Sequence, residues 1–389
     1  MTPGDCKVFI VAGEPSGDAL GAKLMGALRQ QSERSINFEG VGGPLMAAEG
    51  LDSLFPMDDL TVMGLFEVVP KLRLLFRRMA ETATAAKEFA PDVFITIDAP
   101  DFSFRVAKKL QGTAFPKVHY VAPSVWAWRP GRAQKIAPLY DHLLTLLPFE
   151  PPYFEKVGLS ATFVGHSVVE SGAGEGDGIR FRQEQGIGPE ERVLMMLAGS
   201  RRSEVERLLP IFKTAAENLR ARIGEFRLVA PVVGRSGEIV RDAVKSWKIP
   251  VLVLEGEAAK YDAMAAADVA LAASGTVGLE LALARLPTVI AYKLNAITAR
   301  IARRFVKLDF VNLVNILLAR EIVPEYILEN CTAANLTPAL AELFHCEEKR
   351  ARQIAGFDQA MLLLGKGDIS PGERAAKVVL HLIAQKENI

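Results

Sequence analysis

The chain has 389 residues, 50% of them apolar and 24% charged, enough for two domains of ordinary globular composition. Lysine plus arginine equals aspartate plus glutamate at 46 each, so no overall field draws the chain to nucleic acid or membrane, and any such preference must be local. Three cysteines without metal-ligand spacing, no secretory leader before the first apolar run and no apolar stretch of about 18 residues point to a reducing cytoplasm and a chain that does not span a bilayer.

Residues 7–12 read as a buried parallel strand, 13–18 (GEPSGD) as a turn and 19–30 as a helix with small residues toward a sheet. The turn is neither G-x-G-x-x-G nor a P-loop, which disfavours NAD or ATP there. It is either a tight β-α turn or a place where a sugar or lipid phosphate meets bare backbone. Residues 38–44 form a second strand and turn. Residues 60–79 then crowd Val62, Met63, Leu65, Phe66, Val68, Val69, Leu72, Leu75 and Phe76 among Lys71, Arg73, Arg77 and Arg78. That is more apolar surface than one face of a surface helix needs, and it is too short and too charged to span. An interfacial membrane segment fits it, and the alternative is a core helix with snorkelling cations.

Residues 93–97 (VFITI) are a buried strand with Asp98 at its carboxyl end, where open α/β sheets bind ligands. A carboxylate there suits a general base, and Glu14 and Asp18 on the neighbouring turn are its reserves. Asp101 is expected to cap the helix that follows. Residues 117–129 form a strand and a loop bearing Trp126 and Trp128, aromatic walls for a ligand or a protein contact, with His119 in the core. Residues 141–147 are a further strand. Six glycines between 172 and 188 mark a linker, after which the α/β rhythm restarts.

In this second half residues 193–198, 226–233, 249–256 and 269–273 read as strands. Gly199, Ser200 and Arg201 end the first of them and enter a helix, which suits a diphosphate; surface ion pairs with Glu204 and Glu206 are the alternative. Ser274, Gly275 and Thr276 follow the strand 269–273 at its carboxyl end and lead into a helix whose free N–H groups favour phosphate. Glu280, one turn in, is placed to accept from ribose hydroxyls. An ordinary crossover with Ser274 as the N-cap is the plainer reading. Residues 295–307 are a basic amphipathic helix suited to anionic lipid or substrate. Residues 340–389 hold two helices around a break at 365–368.

Seven motifs now stand in order: GEPSGD at 13–18, GVGGPLM at 40–46, VMGLFEV at 62–68, IDAPDF at 97–102, HYVAPSVWAWR at 119–129, GSRRSEVE at 199–206 and ASGTVGLE at 273–280. Together they resemble the lipid-A-disaccharide synthase family over residues 7–330. The resemblance implies an α/β GT-B fold, two Rossmann-like domains facing each other across a cleft. Residues 1–170 would supply acceptor site, membrane contact and base, 171–190 the linker, 191–340 the UDP-sugar site, and 341–389 helices that return to the first domain or meet a partner. It implies an inverting transferase joining UDP-2,3-diacylglucosamine to 2,3-diacylglucosamine 1-phosphate, giving the β-1,6-linked lipid A disaccharide 1-phosphate and UDP. The base falls on Asp98. UDP falls to Ser200, Arg201, Ser274, Gly275, Thr276 and Glu280, with Asn315, Arg320 and Glu321 beside them. Where the family commonly reads Pro-Asn-Leu-Leu-Ala-Gly-Arg-Glu, residues 314–321 read VNILLARE, so Val314 and Ala319 leave the shape of that loop open.

No metal or other cofactor is expected, since Asp-x-Asp and histidine clusters are missing. The expected partners are acylated substrates at an anionic membrane surface and no nucleic acid; a homodimer stays open. The enzyme is expected in the cytoplasm, peripherally on the inner membrane. Two other classes remain: a UDP-sugar enzyme of the same fold, such as a muramyl-pathway transferase or a UDP-GlcNAc 2-epimerase, and a non-catalytic nucleotide-sugar-binding peripheral protein.

Overall fold

The computed structural model describes residues 5–60, 65–127, 131–232, 234–294 and 309–387, for residues 65–71, 235 and 387 in their backbone alone. The chain divides into two units, residues 1–167 with 364–389, and residues 168–363.

Unit 1 runs β1 (Cys6–Ala12), α1 (Pro15–Gln31), β2 (Ile36–Val41), α2 (Pro44–Ala48), α3 (Leu65–Phe89), β3 (Val93–Ile97), α4 (Pro100–Lys109), β4 (Lys117–Tyr120), α5 (Arg132–Ile136), β5 (His142–Thr145), α6 (Pro151–Glu155) and β6 (Ser160–Phe163), and ends in a helix over Pro371–Glu387. Its six strands lie in the order β2-β1-β3-β4-β5-β6, every pair parallel. Helices cover both faces, so β3 is buried at all five positions, as an unbroken apolar run requires. The register pairs Ala12 with Ile97, which sets the turns after β1 and β3 side by side. The final helix lies along α1 and adds Ala375, Ala376, Val379 and Ile383 to the core that holds Leu20 and Leu24.

Unit 2 runs α7 (Gly178–Glu184), β7 (Val193–Leu197), α8 (Arg202–Ile223), β8 (Arg227–Val232), α9 (Gly234–Val244), β9 (Val251–Glu255), α10 (Glu257–Ala266), β10 (Val269–Ala273), α11 (Val277–Leu283), β11 (Thr288–Tyr292) and β12 (Glu325–Ile327), with later helices at Leu313–Leu318, Ala333–His345 and Glu347–Leu363. Its sheet is again parallel, in the order β12-β11-β10-β7-β8-β9. The stretch 171–190, read from its glycines as a linker, is built into this unit. Asp177 N donates to Asp262 Oδ1 at 2.7 Å, and Arg182 Nε and Nη2 donate to Ala266 O at 3.1 and 2.8 Å. The chain leaves unit 1 after Ser167 and returns at Leu364. Both crossings are pinned within unit 1: His166 N donates to Leu364 O at 2.9 Å, and Arg374 donates to Val164 O and Gly365 O, each at 2.7 Å.

Candidate active site

The carboxyl edge of the unit 2 sheet holds a cavity of about 680 Å³, inside the range of about 300–1,000 Å³ usual for small-molecule sites. Of the residues expected to hold UDP, Ser200, Ser274, Gly275, Thr276 and Glu280 line it. The turn after β10 folds as the sequence suggests, except that Thr276, not Ser274, is the N-cap, with no side-chain capping bond. The first amide of the turn with a helical partner is that of Gly278, to Gly275 O at 3.1 Å, so the amides before it lie ahead of the α11 ladder. Glu280 is held by Lys260, whose Nζ donates to both carboxylate oxygens at 3.0 and 2.9 Å.

The turn after β7 needs Gly199 at φ 109, and a Cβ there would lie 2.2 Å from Glu204 Oε2. Glu204 lines the cavity. Burial raises its carboxyl pKa, while Arg201 and the amides of Ser200 and Arg201 draw it back down. Arg201 is the N-cap of α8 and is exposed. It is absent from the cavity wall, and reaches this turn through its charge on Glu204. Arg202 makes the plain surface pair with Glu206, 2.7 Å, i to i+4. Sequence reading missed Glu204, Lys260, Arg241, Glu255 and Glu257, all on the wall. Glu204 stands inside the stretch 199–206, and Glu255 and Glu257 flank Gly256 at the end of β9, so their places in the chain were a signal; Arg241 and Lys260 lie further along α9 and α10 and gave none.

Residues 314–321 do not join the wall. Asn315 is fully buried and its amide is saturated: Oδ1 accepts from Ile322 N and Val323 N at 2.7 and 2.9 Å, and Nδ2 donates to Val323 O and Glu325 Oε1 at 2.7 and 2.6 Å. Placing Asn315 among the UDP ligands is therefore corrected, because it has no bond left to offer. Arg320 is exposed and donates to Gln359 Oε1 at 3.0 Å, and Glu321 is exposed beside it. What approaches the start of α11 is Asn312, whose Nδ2 stands 2.7 Å from where a Cβ on Gly278 would lie. The loop shape that Ala319 left open is a left-handed cap at φ 50, ψ 32, the conformation the family's glycine favours.

In unit 1 Asp98 ends β3 as expected. It and Ala99 both have positive φ, 50 and 44, two strained residues in succession at the carboxyl edge. The strain is held by Asp98 N donating to Tyr120 O at 2.9 Å and by Ser103 Oγ donating to Asp98 O at 2.7 Å. Burial raises the Asp98 carboxyl pKa against one backbone hydrogen bond from Ala99 that lowers it. A Cβ on Gly13 would stand 2.9 Å from Ala99 Cβ, so the two turns touch. Glu14, the N-cap position of α1, is half-buried there.

Asp18 is not a reserve base. It is 2% exposed, and its carboxylate accepts from Gly43 N, Leu45 N and Met46 N at 2.8, 3.0 and 3.0 Å, which makes it the cap of α2. Asp101 does not cap α4 either: Ala99 is the N-cap, and Asp101, with its side chain 98% exposed, lies 3.9 Å from Arg132. Trp126 donates from Nε1 to the buried Glu150 at 3.1 Å and stands edge-on to Phe149. His119 is wholly buried in β4. Trp128 lies outside the described residues.

Val62 and Met63 lie outside the described residues, as does the basic stretch 295–307. Leu65, Phe66, Val68 and Val69 fall on α3, and their side chains are not described. Further along α3, Leu72 and Phe76 are exposed beside exposed Arg73 and Arg77, whereas Leu75 packs against the core with Met79 and Ala83. Among the described residues no helix is long and apolar enough to cross a membrane.

Two parallel Rossmann-like units, one carrying a cavity beyond its strand ends, define the GT-B fold, and solved structures agree. A putative UDP-N-acetylglucosamine 2-epimerase from Listeria monocytogenes matches with a TM-score of 0.68 at 14% identity, over 99% of this chain and 98% of that one. The UDP-GlcNAc 2-epimerase from Neisseria meningitidis bound to UDP-GlcNAc matches with a TM-score of 0.63 at 11% identity, over 98% and 100%. At such identities the likeness carries the fold alone. The sequence goes further. The family profile described as Lipid-A-disaccharide synthetase matches residues 8–379. The lipid-A-disaccharide synthase of Rhodospirillum centenum is 52% identical over 381 residues, 97% of this chain and 95% of that one. That of Ruegeria pomeroyi is 50% identical over 384 residues, 96% and 94%. The chain belongs to the lipid-A-disaccharide synthase family. It is a glycosyltransferase of lipid A biosynthesis.

Proposed function

We propose that the chain transfers diacylglucosamine from UDP-2,3-diacylglucosamine to the 6-hydroxyl of 2,3-diacylglucosamine 1-phosphate with inversion, giving the β-1,6-linked disaccharide 1-phosphate and UDP. The observation that carries this reading is the unit 2 cavity, where a turn rich in amides and a carboxylate held by a lysine share one wall. The amides ahead of α11 and the guanidinium of Arg201 take the diphosphate, and Glu280 takes the ribose hydroxyls. As the anomeric carbon–oxygen bond breaks, charge grows on the departing UDP and these donors stabilise it. No metal-assisted step is part of the proposal.

Asp98 in unit 1 takes the proton from the attacking hydroxyl. A carboxylate whose pKa burial has raised is a stronger base than an ordinary aspartate, and its fixed, strained backbone spends little on orienting it. The enzyme works from the cytoplasmic side as a peripheral protein on an anionic membrane surface. Leu72 and Phe76, with Arg73 and Arg77, touch the lipid phase where the acylated substrates reside.

The test is to incubate the protein with both lipids and read products by mass spectrometry, then to compare wild type with Asp98→Asn in single turnover at saturating substrates. The disaccharide phosphate is expected, with a loss of at least ~100-fold in Asp98→Asn. The unmodified fold should melt no lower in the variant, because a carboxyl whose pKa is raised on folding costs stability once ionised. A wild-type rate in Asp98→Asn transfers the base to Glu14, and UDP-sugar turnover without disaccharide returns the chain to another reaction of this fold.

A further inference from the structure

We propose that Lys260 is the positioning residue that sets Glu280 to read the ribose diol of the nucleotide, an inference that rests on the ribose role given above to Glu280. The two side chains come from different helices. Lys260 sits in the first turn of α10, which packs along β7–β9, and Glu280 in the first turn of α11 after β10. Both line the cavity, and both side chains are mostly shielded, 14% and 22% exposed.

Three features point the pair at a ligand. The ammonium bonds both carboxylate oxygens, 3.0 and 2.9 Å, which fixes the carboxylate plane and still leaves lone pairs on each oxygen for two vicinal hydroxyls. Lys260 Nζ also lies 4.6 Å from the centroid of the Tyr261 ring, whose hydroxyl donates to Glu257 Oε1 at 2.7 Å, so the lysine is held from behind. Finally, a diphosphate at the Ser274–Thr276 turn would share the cavity with the Glu280 carboxylate, and two anions at short range in a shielded site repel. Lys260 neutralises Glu280 and so lets one small cavity take a diphosphate and keep a carboxylate acceptor.

The role predicts a signature that a merely stabilising ion pair lacks: loss of discrimination between a nucleotide with the diol and one without it. The probes are UDP and 2′,3′-dideoxy-UDP, titrated by calorimetry against wild type, Lys260→Met, Lys260→Arg, Glu280→Gln and Lys260→Met/Glu280→Gln. Wild type should bind UDP about tenfold or more tightly than the dideoxy nucleotide, as charge-assisted hydrogen bonds warrant. Lys260→Met and Glu280→Gln should each bring that ratio to within about twofold, with no further fall in the double variant, as two members of one unit behave. Lys260→Arg should restore most of the ratio, which also covers a Lys260→Met protein that fails to fold. A folded Lys260→Met that keeps the wild-type ratio overturns the inference, as does an equal loss for both nucleotides, which would place Lys260 on the diphosphate itself. A wild-type ratio near one overturns the ribose reading of Glu280 and this inference together.

Discussion

At the residue scale, Asp18 and Asp98 differ in what surrounds their carboxyls. Asp18 and Asp98 both follow strands whose carboxyl ends lie side by side, and sequence offered both as bases. Asp18 accepts three amide hydrogen bonds, and Asp98 has burial acting on its carboxyl with little to offset it. No one-dimensional pattern separates them, because the partners of Asp18 lie 25 to 28 residues away at Gly43, Leu45 and Met46. Glu150 was invisible for the same reason. Burial pushes its pKa from 4.5 up to about 7, against hydrogen bonds from Leu147 N and Trp126 that lower it. The folded state therefore holds a proton that the unfolded state has released, so its contribution to stability is complete below pH 4.5 and is lost as pH rises toward about 7. Glu150→Gln, which removes the titrating group and keeps an oxygen acceptor for one of the two donors, should flatten the decline of melting temperature between those limits in thermal scans across pH. His119 and His166, held neutral by burial down to about 3 and about 4, act in the opposite sense below pH 6.5 and should leave their part of the profile unchanged in that variant.

At the element scale the strands were legible and several helices were not. Residues 93–97 and 269–273 match β3 and β10 because a parallel strand covered on both faces must be an unbroken apolar run. Helix α9 was missed: its apolar positions Ile239, Val240, Ala243 and Val244 follow helical spacing, but three glycines and serines at its start read as loop. The short strands β6 and β12 carry too little pattern to stand out. In the described part of α3, Leu72 and Phe76 lie on an exposed face and Leu75 and Met79 on a buried one, and this sharpens the membrane proposal. Leu72→Ser with Phe76→Ser removes exposed side chains, so the protein should keep its melting temperature and lose binding to anionic liposomes in flotation. Leu75→Ser removes a core contact and should instead lower stability by about 1–3 kcal/mol while a folded fraction still floats. Unchanged flotation of the folded double variant would move the membrane contact away from this face.

At the scale of the whole molecule, the two α/β halves were legible from the restart of the strand-helix rhythm at residue 193, yet the boundaries were not. The glycines between 172 and 188 belong to a packed part of unit 2, and the last helix, far from unit 1 in sequence, completes the core of unit 1. Sequence order hides this because the return of the chain is decided by the apolar stripe Ala375, Ala376, Val379 and Ile383 finding α1, a contact across more than 300 positions. The arrangement makes a prediction about truncation. Ending the chain after Leu363 removes no residue of unit 2 but strips α1 of that stripe and of the Arg374 bonds that pin both crossings. The lost burial is on the order of 5 kcal/mol, comparable with the whole stability of a small domain, about 5–15 kcal/mol. The truncated protein should therefore lose its unit 1 transition in calorimetry and all transferase activity, while UDP affinity, which the proposed site assigns to unit 2, stays within about threefold of wild type. Loss of UDP binding in step with activity would mean that the two units fold as one, and that the C-terminal helix supports the unit 2 cavity as well as the fold around Asp98.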